Sequence, residues 1–108
     1  MSKFDDFTDA VLLGAKDLAR DVFDGFEDQA RDDTRAFLDK TKNDLQRWTT
    51  LLSDNELSEQ DFQDLLEAKK ANIEIHALTR QGIALTKAER FRSGLIELVL
   101  DKAIGVFL

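Results

Sequence analysis

The stretch that decides the fold runs from residue 3 to 57 and falls into five elevens: KFDDFTDAVLL (3–13), GAKDLARDVFD (14–24), GFEDQARDDTR (25–35), AFLDKTKNDLQ (36–46) and RWTTLLSDNEL (47–57). Their second column reads Phe4, Ala15, Phe26, Phe37, Trp48, and their fourth reads Asp6, Asp17, Asp28, Asp39, Thr50. An eleven-residue period is three helical turns at about 3.67 residues each, which keeps one face in line along a straight or slightly right-handed helix. The apolar residues Phe7, Val11, Leu18, Val22, Leu45 and Leu52 recur at compatible helical spacings. The stretch therefore predicts one long helix over about 3–53. Ser2 is its expected cap, and Asp5, Asp6 and Asp9 suit the positive end of the helix dipole.

Cap-forming residues cluster next, at Ser53, Asp54, Asn55 and Ser58. Here the chain is expected to turn, over about 54–58, with Asn55 left-handed and Ser58 capping a second helix. The eleven-residue period then returns at Phe62, Ile73, Ala84, Leu95 and Val106, so the second helix is expected over about 59–107. Gly82 is the expected bend, because glycine costs about 1 kcal/mol relative to alanine inside a helix. At the standard rise each helix would be roughly 75 Å long.

The expected fold is thus all-α: one domain over residues 1–108, built as an antiparallel hairpin of two long helices. The pairing sets Phe37 against Ile73, Val22 against Ala88 and Phe91, and the segment Phe4 to Val11 against the C-terminal apolar run, beside which Leu12 and Leu13 are also expected to pack. Further apolar rows remain unused, and a two-helix hairpin needs only one narrow seam per helix. Leu12, Phe23, Ile75, Leu78, Leu85, Ile96, Leu100 and Phe107 are therefore expected at an oligomer interface. Homodimerisation of two hairpins would complete a four-helix bundle. Asp33 and Arg80 fall near one level of the hairpin, where they would form a polar core layer that fixes register, or else line a wet gap.

Composition narrows function by subtraction. The chain has 34% charged residues, no proline and no cysteine, and a net charge of −7. Without thiols there is no disulfide framework, thiolate metal site or cysteine nucleophile. A strongly acidic chain lacks the basic surface that drives nucleic-acid binding by counterion release. The start lacks the basic and apolar regions of a secretory signal, which makes a cytoplasmic location the expectation. The apolar run Leu95 to Leu108 carries Glu97, Asp101 and Lys102 and falls short of the roughly 20 residues of a membrane span.

No phosphate-binding glycine loop, nucleophile elbow or repeated metal-ligand spacing occurs. His76 is the single histidine, and in a continuous helix Glu74, two residues away, would not share its face. It reads as a packed or half-exposed helix residue rather than a metal ligand or proton carrier. Asp17, Asp21, Asp24, Asp28 and Asp32 form an acidic stripe that reads best as a solvated face, with Arg20, Arg31 and Arg35 nearby. No cofactor, metal or catalytic residue is expected. The functional expectation is a non-enzymatic, self-associating helical scaffold or protein-interaction module. The alternative is a peripheral lipid-surface or granule-associated protein that uses the amphipathic segment Arg90 to Leu108.

Overall fold

The computed structural model describes residues 2–108. They form six α-helices and a single 3-10 turn, with no strand among the described residues. The first helix, α1 (Lys3–Phe23), begins as its sequence requires: the Ser2 hydroxyl accepts from the Asp5 N–H at 3.1 Å. It stops much earlier than the eleven-residue period implies. Asp24 (φ 56°) and Phe26 (φ 59°) are left-handed on either side of Gly25 (φ 156°), and α2 (Glu27–Lys40) folds back beside α1. The acidic stripe is the physical cost that a continuous helix would have carried, since like charges three and four residues apart repel. The turn divides it between two helices.

A second, milder interruption falls at Thr41, whose buried hydroxyl donates to the Phe37 carbonyl at 2.8 Å and so competes with regular helix geometry. Beyond it lies α3 (Lys42–Ser53). The turn at 54–58 then has the capping chemistry read from its residues. Asn55 is left-handed (φ 61°), its N–H donates to Leu52 O, and the Glu56 N–H donates to Leu51 O at 2.8 Å, which closes α3 in a Schellman arrangement. Ser58 Oγ accepts from the Asp61 N–H at 3.0 Å and opens α4 (Glu59–Lys69).

The expected second helix is also divided. A 3-10 turn (Lys70–Asn72) leads into an extended passage at Ile73 to Ile75, then the four-residue α5 (His76–Thr79), a turn with Gly82 at φ 72°, and finally α6 (Leu85–Phe107). In the extended passage alternate residues face opposite ways, so Ile73 and Ile75 are buried while Glu74 is exposed. Two β-branched residues with a polar one between them fit that geometry better than a helix.

These breaks replace the hairpin of two roughly 75 Å helices with a body of 42 × 28 × 21 Å. Its radius of gyration, 13.5 Å, is close to the roughly 13 Å of a compact chain this long. The antiparallel pairing of the two ends of the chain is nevertheless present, between α1 and α6. Phe7 meets Phe107 at 5.8 Å and Phe23 meets Phe91 at 5.7 Å between ring centroids. Between these pairs the backbones approach closely through reciprocal glycines. A Cβ on Gly14 would lie 2.6 Å from Leu98 Cδ1, and one on Gly94 would lie 2.8 Å from Leu18 Cδ1. Each glycine on one helix thus seats a leucine of the other.

A single core joins all the longer helices, with Phe7, Val11, Leu45, Leu52, Phe62, Leu66, Leu78, Phe91, Leu95 and Val99 fully enclosed. No described helix is long and apolar enough to cross a membrane.

Candidate functional site

The residues expected at an oligomer interface are mostly used inside one chain. Leu12, Phe23, Ile75, Leu78 and Ile96 are buried, and Leu100 and Phe107 are half-buried against the same core. Of the eight, Leu85 alone stands in solvent, 84% exposed. The physical reason is the division of the long helices: short helices wrap the second apolar rows around one another, whereas a hairpin would have left them outside. The expected Asp33 and Arg80 layer is likewise replaced. Arg80 is exposed, and buried Asp33 accepts from the N–H groups of Ala77 and Leu78, both at 2.9 Å. Asp33 therefore caps α5 from a different helix, satisfying two N-terminal donors that α5 cannot satisfy itself.

Beside that clasp lies a cluster that joins the histidine to a carboxylate and a lysine. Because Glu74 leaves the helical path, its carboxylate reaches His76 after all: His76 Nε2–H donates to Glu74 Oε2 at 2.7 Å, and Lys40 Nζ donates to Oε1 at 3.1 Å. The His76 contact, followed by Lys40, holds the Glu74 carboxyl below its ordinary value. These groups border a hollow of only about 60 Å³ with Asn72 and Phe37. All three side chains are more than half exposed, and no serine or threonine nucleophile lines the hollow. The cluster ties the extended passage to α2 and offers no enclosed space in which a substrate would be held. Among the described residues, no three histidine or acidic side chains come together as a group able to hold a metal ion.

A larger feature lies on the outer side of α1 and α2. Two shallow hollows, of about 140 and 230 Å³, share Leu12 and Arg35 and join into a groove between these helices. One rim carries Leu13, 67% exposed, with Lys16, and the other carries Arg31 and Arg35. Lys16, Arg31 and Arg35 take part in none of the ion pairs formed among the described residues. Asp5, Asp9 and Asp39 line the same two hollows, so on a chain of net charge −7 the groove combines an exposed leucine with unengaged charges of both signs.

The sequence expectation sets Leu13 against the C-terminal run, which misses this groove. The signal is present in the register: residues 7, 11, 15, 18 and 22 lie on one side of an α-helix, and residue 13 lies on the other. The Glu74–His76 pair escapes the sequence for a different reason, since it exists only because the helix is interrupted. Comparison with protein-family models, with curated proteins and with solved structures finds no significant match.

Proposed function

We propose that this chain is a non-enzymatic, self-associating helical scaffold or protein-interaction module, and that the groove between α1 and α2 is where it associates. The observation that carries the reading is Leu13, two-thirds exposed in the middle of a helix and bordered by cations that pair with no carboxylate among the described residues. A large apolar side chain and unengaged cations at one place are the makings of a contact surface, where each gains on exclusion of water. The chemically capable side chains support the same reading, because Asp33 is committed to α5 and the Glu74, His76 and Lys40 set is an open surface network.

The lipid-surface alternative draws no support from the fold. It needs the apolar face of the C-terminal helix, yet Phe91, Leu95, Ile96, Val99 and Ala103 are buried in the core of the chain itself. Light scattering at micromolar concentration tests the proposal directly. The expected mass is at least twice the 12.3 kDa of one chain, and a single-chain mass across that concentration range would end it.

A further inference from the structure

We propose that a second copy of this chain docks along the outer face of α1, antiparallel to it and related by a two-fold axis beside Leu13. The inference rests on the self-association reading and specifies its geometry. Phe7, Val11, Ala15, Ala19 and Val22 bury one side of α1, and its opposite side is free. Along that free side, residues at spacings of three and four read Asp6, Asp9, Leu13, Lys16, Arg20. Asp6, Asp9, Leu13 and Arg20 are exposed and Lys16 is half-buried at the groove.

The order of these side chains is acidic, acidic, apolar, basic, basic. A stripe of this kind is complementary to itself when reversed. Asp9 lies four residues before Leu13 and Lys16 three after it, which at about 1.5 Å per residue puts them roughly 6 and 4.5 Å from the axis. In an antiparallel copy each Asp9 therefore comes level with the Lys16 of the other chain. Asp6 and Arg20, each seven residues from Leu13, come level about 10 Å out, but Arg20 is already paired with Asp17 and Glu27 of its own chain, so the inner Asp9 and Lys16 pairs carry the charge match. The two Leu13 side chains meet at the axis, the isologous arrangement that a closed dimer requires. A parallel copy would set like charges against each other at every charged position of the stripe.

The neighbours of the stripe favour the same partner. Arg31 lines the groove with Lys16 and adds a cation for the acidic half of the incoming helix, whereas Arg35 also borders Asp5 and Thr8 and lies nearer the axis. Asp17, the carboxylate nearest the basic half, is held by Arg20 at 3.1 Å, and Glu27 also pairs with Arg20, at 3.2 Å. With α2 beside α1 in each chain, the docked pair presents four helices to one another.

Charge exchange tests the geometry. Asp9→Lys sets the introduced lysine against the native Lys16 of the other copy, and Lys16→Glu sets the introduced glutamate against the native Asp9. Each variant alone should therefore dimerise at least tenfold more weakly. In an equimolar mixture of the two variants, one pair of facing positions joins the introduced lysine to the introduced glutamate, and the other joins native Lys16 to native Asp9. The mixture should recover a mixed dimer of near-native affinity. The double variant Asp9→Lys with Lys16→Glu should recover a dimer by itself. Circular dichroism should show unchanged helicity throughout, because these side chains lie outside the core. Leu13→Asp should abolish the dimer.

An oligomer whose mass ignores all of these changes overturns the docking face and leaves self-association standing. Failure of the mixed pair to associate, when both single variants are weakened and folded, overturns the antiparallel arrangement. A single-chain mass for the native protein overturns both the face and the reading beneath it.

Discussion

Asp33 and Thr34 are adjacent on α2 and both buried, yet their oxygens meet opposite fates. Both Asp33 oxygens accept backbone hydrogen bonds from α5, whereas the Thr34 hydroxyl, in a residue with no exposed surface, makes none. Hydrogen bonds to a charged acceptor contribute about 1.5–3 kcal/mol each, and an unsatisfied buried hydroxyl costs about 1–3 kcal/mol. Asp33→Ala should therefore destabilise the chain by about 3 kcal/mol in urea unfolding. Asp33→Asn should be only partly tolerated, because an amide offers one acceptor and points a second donor at a waiting N–H. Thr34→Val should act in the opposite sense, raising stability by about 1 kcal/mol while keeping the shape of the side chain. Equal effects of Ala at 33 and Val at 34 would show that the clasp contributes nothing. Neither role is legible in the sequence, where Asp33 is one aspartate among many and its partners lie more than forty residues away.

At the scale of the elements, the crossing of α1 and α6 depends on Gly14 and Gly94, and the other glycine in α6 supplies its own control. Gly14→Ala and Gly94→Ala each force a leucine tip to move, and with the helix preference of alanine set against that strain each should cost up to about 2 kcal/mol. Gly105 is also helical but has nothing near its absent Cβ. Gly105→Ala should be neutral or stabilising by up to about 1 kcal/mol, since alanine is the better helix former. Thermal unfolding of the three variants separates the two cases, and equal effects would remove the close crossing from the account. The caps at Ser2 and Ser58 and the left-handed Asn55 can be read directly, because capping is local chemistry. Gly82, expected as a bend, does lie in a turn at φ 72°, but the break at Gly25 and the unwinding from Lys70 to Ile75 cannot be read, because apolar residues repeat at elevens across both, and a period cannot distinguish one long helix from shorter helices folded back on one another. What decides between them is burial. Folding back encloses Phe23, Ile75, Leu78 and Ile96 within a single chain.

At the scale of the whole molecule, the same redistribution changes what the C-terminal helix is for. The first and last segments run antiparallel, as their apolar patterns suggest, but the remaining apolar rows need a partner only if the helices are straight and leave them no other cover. Removing residues from Ser93 onward deletes Leu95, Ile96, Val99 and Ala103 from the core. That truncation should unfold the single chain, with loss of most helical circular dichroism, rather than merely dissociate an oligomer. Retained helicity with a cooperative thermal transition would mean that α1 can find cover elsewhere.

The pairing of the first helix with the last has a consequence for synthesis on the ribosome. At about 5–20 residues per second, roughly 4–17 s pass between the completion of α1 and the completion of α6. Through that interval the Phe7, Val11 and Leu18 side of α1 has been made and its final cover has not. The nascent chain must therefore carry an unfinished apolar helix until α6 has been made, and its native core closes only after α6 has left the exit tunnel.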